Sequence, residues 1–186
     1  MIIAQQKQKE NIAEYLLYMY QVEDMIRANK LDLDGIEQTL INQFEVEYEV
    51  KREMREWYKT LIAMMRDEQK EESGHLNILE TTAEQLKEMH HQLLDQGIDT
   101  AYKEAYSKAK PHIEALRMRS GHSSESDIQV ALNGLYGLLI LKLKKTLITQ
   151  ETTAAFDTIR EMVAELSSRY MDSSQPMAGT NQAERS

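Results

Sequence analysis

The sequence has no cysteine, and this absence excludes several classes of site. Disulfides, thiolate-bound zinc, iron–sulfur clusters and cysteine nucleophiles all require that residue. Proline and glycine are also scarce, with two and seven residues among 186. Because an all-β fold needs frequent turns, this scarcity disfavours such a fold.

Long apolar runs and an excess of positive charge are missing as well. The most apolar stretch lies within residues 135–143, whereas a membrane span needs about 20 apolar residues. The start of the chain turns polar after two isoleucines, so it lacks the apolar core of a secretory signal. The net charge is −9, which gives no overall field favouring nucleic acid or an anionic membrane. We therefore expect a cytoplasmic protein with no nucleic-acid or membrane partner.

What the sequence does contain is helical periodicity. Apolar residues recur at intervals of three and four, with no sustained alternation of period two. This pattern predicts an all-α, single-domain bundle of six to seven helices over residues 1–171. Residues 172–186 have too little apolar surface to fold, and this predicts a disordered C-terminal tail. The predicted helices include residues 5–29, 34–44, 46–69, 76–96 and 125–145, with a fifth helix capped by Asp99 and a seventh capped by Thr149.

Two of these helices carry most of the packing hypothesis. The sixth is apolar nearly all round, so we place it at the centre, with the first and third against it. Its Gly134 and Gly137 each cost about 1 kcal/mol relative to alanine. They predict close approach of a neighbouring helix, or room for a large side chain such as Trp57. In the first helix, residues 16–18 widen the apolar stripe, which predicts packing against two helices or a second subunit.

One histidine pattern suggests a metal site. Glu88 and His91 have the Glu-x-x-His spacing of carboxylate-bridged di-iron bundles. Those bundles need a second such motif and two more glutamates. His90 lies in the apolar seam of the fourth helix, where a hydrogen-bonded core histidine is the competing interpretation. A metal- or small-ligand-binding bundle using Glu88, His90 and His91 is our alternative hypothesis, and no particular cofactor is implied.

A basic cluster closes the fifth predicted helix. Arg117, Arg119 and His122 could together contact a phosphate or carboxylate. The competing interpretation is that cations at a helix C-terminus complement its dipole, by about 0.3–1 kcal/mol each.

Aromatic and methionine side chains suggest an interface. The sequence has nine tyrosines and eleven methionines, and such residues favour half-buried or adaptable surfaces. The candidate interface residues are Tyr15, Tyr18, Met25, Trp57 and Tyr58. Ordinary filling of the core is the competing interpretation.

The leading functional hypothesis follows from these observations. The sequence contains no Gly-x-Ser-x-Gly elbow, phosphate-binding loop, dinucleotide fingerprint or His-Glu-x-x-His. We therefore expect a non-enzymatic protein-interaction module that binds an unidentified protein partner and self-associates, for example as a homodimer. A nucleic-acid-linked regulator is a third hypothesis, and it would need a continuous basic face.

Several segments also resemble a known family. The chain opens with Met1-Ile-Ile-Ala-Gln-Gln-Lys-Gln-Lys-Glu-Asn-Ile-Ala-Glu-Tyr-Leu-Leu-Tyr-Met-Tyr. Further matching segments are Arg55-Glu-Trp-Tyr, Gly74-His-Leu, Glu114-Ala-Leu-Arg and Asn133-Gly-Leu-Tyr-Gly. Over most of residues 1–170 the chain resembles the bacterial family called domain of unknown function 4924. The resemblance implies a small soluble helical protein of the cytoplasm and brings no activity, cofactor or catalytic residue.

Overall fold

The protein is a bundle of helices. The computed structural model describes residues 2–95, 99–121 and 124–174. In these ranges the α-helices are α1 (Ile2–Glu10), α2 (Ile12–Ala28), α3 (Leu33–Thr39), α4 (Tyr48–Asp67), α5 (Asn77–Asp95), α6 (Thr100–Ser120), α7 (Asp127–Leu143) and α8 (Gln150–Ser174). One 3-10 turn, Ile41–Gln43, follows α3, and no strand occurs in the described ranges. The all-α class is confirmed, but the predicted count of six to seven helices is too low. Within the same ranges, none of the helices has both the length and the apolarity to span a bilayer.

The extra helix arises at Asn11, where the single helix predicted over residues 5–29 is broken. The Asn11 backbone is extended, with φ −156° and ψ 106°. Its side-chain oxygen accepts a hydrogen bond of 3.1 Å from the Glu14 backbone N–H. Asparagine is a favoured N-cap because it satisfies one of the unpaired N–H groups at a helix start. The prediction was wrong because the apolar pattern continues across the break.

Two predicted caps are confirmed. The Asp99 carboxylate accepts from the Tyr102 backbone N–H at 2.9 Å at the start of α6. The Thr149 hydroxyl accepts from the Thr152 backbone N–H at 3.2 Å at the start of α8.

The core lies where α2 and α7 meet the longer helices. Helix α7 packs against α2, α5, α6 and α8, as a central helix should. Helix α4 packs instead against α2 and α3, so the prediction that it lies against α7 is wrong. Outside its apolar seam α4 is densely charged, which leaves it only one face to bury.

The two glycines of α7 have different surroundings. A Cβ on Gly134 would lie 2.7 Å from Leu116 Cδ1 and 3.3 Å from Phe156 Cε1. Close approach of α6 and α8 is therefore confirmed at this position, and the side chain that uses the space is Leu116 rather than Trp57. Gly137 is exposed, and a Cβ there would meet nothing within 4 Å. The same prediction is wrong for Gly137.

The last helix extends beyond the predicted end of the domain. Helix α8 continues to Ser174, so the first three residues assigned to the tail are helical. The remaining tail residues, 175–186, lie outside the described residues, and their disorder stays a prediction.

Candidate functional site

An apolar groove opens beside the N-terminal helices. It has a volume of about 250 Å³ and lies between α1, α2, α4 and the connection that precedes α4. We call it the aromatic groove. Its lining residues are Ile3, Tyr18, Phe44, Val46, Val50, Glu53, Met54, Trp57 and Tyr58.

Local backbone structure explains why this groove stays open. Phe44 and Glu47 are extended, with ψ of 128° and 150°, so the chain between the 3-10 turn and α4 is not helical. Phe44 and Val46 are about two-fifths exposed, and Tyr48 beside them is 75% exposed. Large apolar side chains are thus held at the surface of the bundle.

Aromatic residues of α2 and α4 form the interior of the groove. Tyr58 is buried, and burial raises the pKa of its hydroxyl. Trp57 is half-buried and meets the Tyr58 ring edge-on, with ring centroids 5.0 Å apart. The two rings thus form one aromatic wall of the groove.

The predicted interface residues are only partly brought together. Tyr18, Trp57 and Tyr58 line the aromatic groove. Tyr15 lines a second cavity of about 230 Å³, which also touches Trp57 and so adjoins the groove. Met25 lines neither cavity and packs, half-buried, against the core.

The wide stripe of α2 does not need a second subunit. Leu16 is completely buried, and Leu17 and Tyr18 are half-buried. Helix α2 packs against α1, α4, α5, α7 and α8 of its own chain. Part of the exposed apolar surface lies along the aromatic groove, at Ile3, Phe44 and Val46, which the sequence did not single out as interface candidates.

Acidic side chains accompany the aromatic groove: Glu53 lines it, and the exposed Glu45, Glu47 and Glu49 alternate along the chain with Phe44, Val46 and Tyr48. We call these four glutamates the acidic rim. Glu49 pairs with Arg52 at 2.7 Å, and in the described part of the chain no ion pair engages the other three. The alternation of apolar and acidic residues from Phe44 to Val50 was the signal for this surface. Seven residues suffice for a period-two signal, but most of them were assigned to the helix predicted over residues 46–69, so the surface was missed.

The seam histidine His90 belongs to a polar network. It is 3% exposed, and its Nδ1 lies 2.6 Å from the Tyr102 hydroxyl. The Tyr106 ring meets it edge-on at 4.8 Å. Tyr106 in turn donates to Asp127 at 2.5 Å, and Arg117 donates to the same carboxylate.

The charge states in this network follow from burial and hydrogen bonding. Burial and the neighbouring His91 lower the pKa of His90 to about 4, against a smaller opposing effect of Asp127. Burial alone would raise the pKa of Asp127, but the hydrogen bonds from Tyr106 and Arg117 outweigh it and lower that pKa. At neutral pH the network therefore holds a neutral imidazole and an ionised carboxylate.

Glu88, His90 and His91 do not together form a set of metal ligands. Glu88 and His91 are exposed, whereas His90 is buried and bonded to Tyr102. Across residues 2–95, 99–121 and 124–174, no group of three histidine, aspartate or glutamate side chains is placed to hold a metal ion. His90, His91, Tyr106 and Asp127 do line an open cavity of about 510 Å³.

The basic cluster at the end of α6 also separates. Arg117 points inward to Asp127, whereas Arg119 is exposed and lines a different cavity near α8. His122 lies outside the described residues. Because the Asp127 carboxylate already neutralises Arg117, the two arginines do not form a joint anion site.

A buried carboxylate bonded to a histidine was not predicted from the sequence. Glu23 is completely buried in α2. One carboxylate oxygen lies 2.6 Å from His75 Nδ1, and the other accepts from the Leu76 backbone N–H at 2.8 Å. The His75 ring stacks on Tyr20, with ring centroids 3.6 Å apart. The charge of Glu23, on the apolar face of α2, was the only signal for this contact, and the sequence has too many carboxylates for one to stand out.

Comparison with known proteins identifies a family. The sequence model of a family described as Domain of unknown function (DUF4924) matches residues 1–176. No curated protein and no solved structure matches the chain.

Proposed function

Since the chain belongs to the family described as Domain of unknown function (DUF4924), whose description gives no activity, we propose a function from the aromatic groove. The protein is a non-enzymatic protein-interaction module. Its groove binds a segment of a protein partner that carries leucine-like apolar side chains flanked by lysine or arginine.

Exposure of large apolar side chains at the groove is the observation that carries this proposal. Ile3, Phe44 and Val46 are exposed and line the same groove, and contiguous exposed apolar patches mark interaction sites. Trp57 and Tyr58 supply rigid aromatic contacts beside them, and such residues contribute strongly to binding at interfaces.

The size and charge of the groove define its partner. Its volume of about 250 Å³ is below the roughly 300–1,000 Å³ of pockets for small molecules. It suits individual side chains of a partner better than a whole ligand. The acidic rim favours a partner segment with positive charge, because complementary potentials speed association and exclude other partners.

The polar cavity at His90 supports the alternative function less well. Tyr106 and Arg117 are bonded to Asp127, and His90 is bonded to Tyr102. Lys87, also on its wall, pairs with Glu84 at 2.6 Å. Because these groups already satisfy one another, a small ligand would gain few new polar contacts there.

Trp57 allows a direct test, since it is the sole tryptophan of the chain. The protein is titrated with a short peptide of leucine and lysine while tryptophan emission is recorded. We expect a saturable change in emission that weakens with added salt, because salt screens the attraction between the acidic rim and the lysines of the peptide. A matched peptide of leucine and glutamate should cause no saturable change.

Two variants test whether the change arises in the groove. Phe44→Ser removes an exposed groove side chain, and Met118→Ser removes one that is 82% exposed on α6. Circular dichroism shows that each variant is folded. Binding should be lost with Phe44→Ser and retained with Met118→Ser. An absent emission change in the native protein, or equal binding by the Phe44→Ser variant, would refute the proposed function.

A further inference from the structure

We infer that the occupant of the aromatic groove is a second copy of this chain, which inserts residues 141–147 from the end of α7. This inference rests on the proposed function and names its partner. We call residues 141–147 the leucine–lysine segment. Their sequence is Leu-Lys-Leu-Lys-Lys-Thr-Leu.

The leucine–lysine segment is an exposed surface that is apolar, like the groove, but carries positive charge. Helix α7 ends at Leu143, and Lys145 turns the chain with φ 55°. Leu143 is 56% exposed and Leu147 is 98% exposed. Such exposure leaves leucine side chains in water with no contribution to the core. A contact that covers them would be favourable.

Charge complementarity links the two surfaces. The segment carries Lys142, Lys144 and Lys145, all exposed, and within the described ranges none of them forms an ion pair. The chain along the aromatic groove, from Phe44 to Val50, alternates apolar with acidic residues, and the segment combines leucine with lysine. Each surface therefore offers the other both an apolar contact and an opposite charge.

The net charge makes this pairing selective. At −9, two copies of the chain repel each other on average. The leucine–lysine segment is a positively charged region of this acidic chain, and the acidic rim carries the opposite charge. When two copies meet with the lysines of one against the acidic rim of the other, the electrostatic repulsion between them is therefore reduced.

The contact joins two different surfaces. The groove is formed by α1, α2 and α4, whereas the segment ends α7 and leads to α8. A reciprocal pair of such contacts closes a two-fold dimer, whereas single contacts in series build a ring or an open chain.

Mixing two variants tests this arrangement by sedimentation velocity of the full chain. Phe44→Ser disables the groove, and Leu147→Asp disables the segment at a side chain that has almost no packing to lose. The native protein should associate more at higher concentration and less at higher salt. Each variant alone should sediment as a monomer. An equimolar mixture should form a complex that stops at a dimer, because only one working groove and one working segment remain between the two copies.

Three outcomes would overturn the inference. They are a native protein that stays monomeric, self-association that both variants leave unchanged, and a mixture that does not associate. Met118→Asp is the matched control and should associate like the native protein. If the native protein is monomeric but the leucine–lysine peptide still changes Trp57 emission, only the inference fails. If the peptide also has no effect, the proposed function fails with it.

Discussion

His90 shows how one buried side chain ties stability to pH. Its pKa is lowered to about 4 by burial and by His91, whereas an unfolded histidine titrates near 6.5. Tyr102, Tyr106 and Asp127 are its other polar neighbours. Below pH 6.5 the unfolded chain binds a proton at this position while the folded chain does not. The folded state therefore loses stability as pH falls from 6.5 towards 4.

We expect the urea midpoint of the native protein to fall between pH 7 and pH 5. His90→Gln keeps a group that can hydrogen-bond to Tyr102 but does not titrate, so this variant should show a smaller fall. As pH falls through this window, the free energy of unfolding of the native protein should decrease more steeply than that of the variant. The two slopes should differ by no more than about 1.4 kcal/mol per pH unit. Parallel pH profiles of the two proteins would contradict the assignment.

Residue types alone predicted candidates but not their surroundings. His90 could be placed on the apolar seam of its helix from spacing, yet its bond to Tyr102 joins two helices and depends on packing. Arg117 and Arg119 are neighbours in sequence but point to different parts of the molecule. Side-chain direction at a helix end was decided by Asp127, ten residues further along.

At the scale of the helix, the two glycines of α7 allow a matched comparison of alanine substitutions. Gly137→Ala adds a methyl group in open space and removes a flexible residue from a helix interior. We expect it to stabilise the protein by about 0.5–1 kcal/mol. Gly134→Ala brings the same helix propensity but forces Leu116 to move. It should therefore stabilise less than Gly137→Ala or destabilise the protein.

Urea denaturation of the two glycine variants measures this difference directly. The expected order of midpoints places Gly137→Ala above the native protein and above Gly134→Ala. A higher midpoint for Gly134→Ala than for Gly137→Ala would show that the contact with Leu116 is not tight.

Helix existence was predictable, whereas helix ends were less so. Asp99 and Thr149 could be identified as caps because a polar residue precedes a clear apolar repeat. Asn11 was missed because apolar residues lie on both sides of it in helical register. A polar cap residue followed three positions later by glutamate, here Asn11 and Glu14, was the signal for that break.

At the scale of the whole molecule, the folded unit should not need the last residues of the chain. The buried side chains of α8 run from Phe156 to Ser167, and residues 175–186 are mostly polar. A chain that ends at Ser174 should keep the native melting temperature within error. A chain that ends at residue 165 loses Leu166 and the Arg169–Asp99 ion pair. It should melt lower or fail to fold.

Thermal unfolding followed by circular dichroism compares these two truncated chains. A lower melting temperature for the chain that ends at Ser174 would show that residues 175–186 contribute to the fold.

The arrangement of helices in space exceeded what the sequence could predict. The all-α class follows from periodicity, but α4 packs away from α7, against α2 and α3. As a result, Phe44 and Val46 form a surface with Trp57 that no single stretch of sequence displays. Tyr18 and Trp57 were identifiable by type, and the groove that joins them was not.

The connection between α4 and α5 is anchored along its length, and this affects how the chain could be altered. Arg27 donates to the carbonyl oxygen of Gly74, and Glu23 accepts from Leu76 and contacts His75. Connections between helices are usually where a chain accepts inserted residues or is cut by proteases. Here an insertion between Gly74 and Leu76 would separate a buried carboxylate from its partners. The end of a loop that looks dispensable from its exposed glycine and serine is thus a poor place to lengthen this protein.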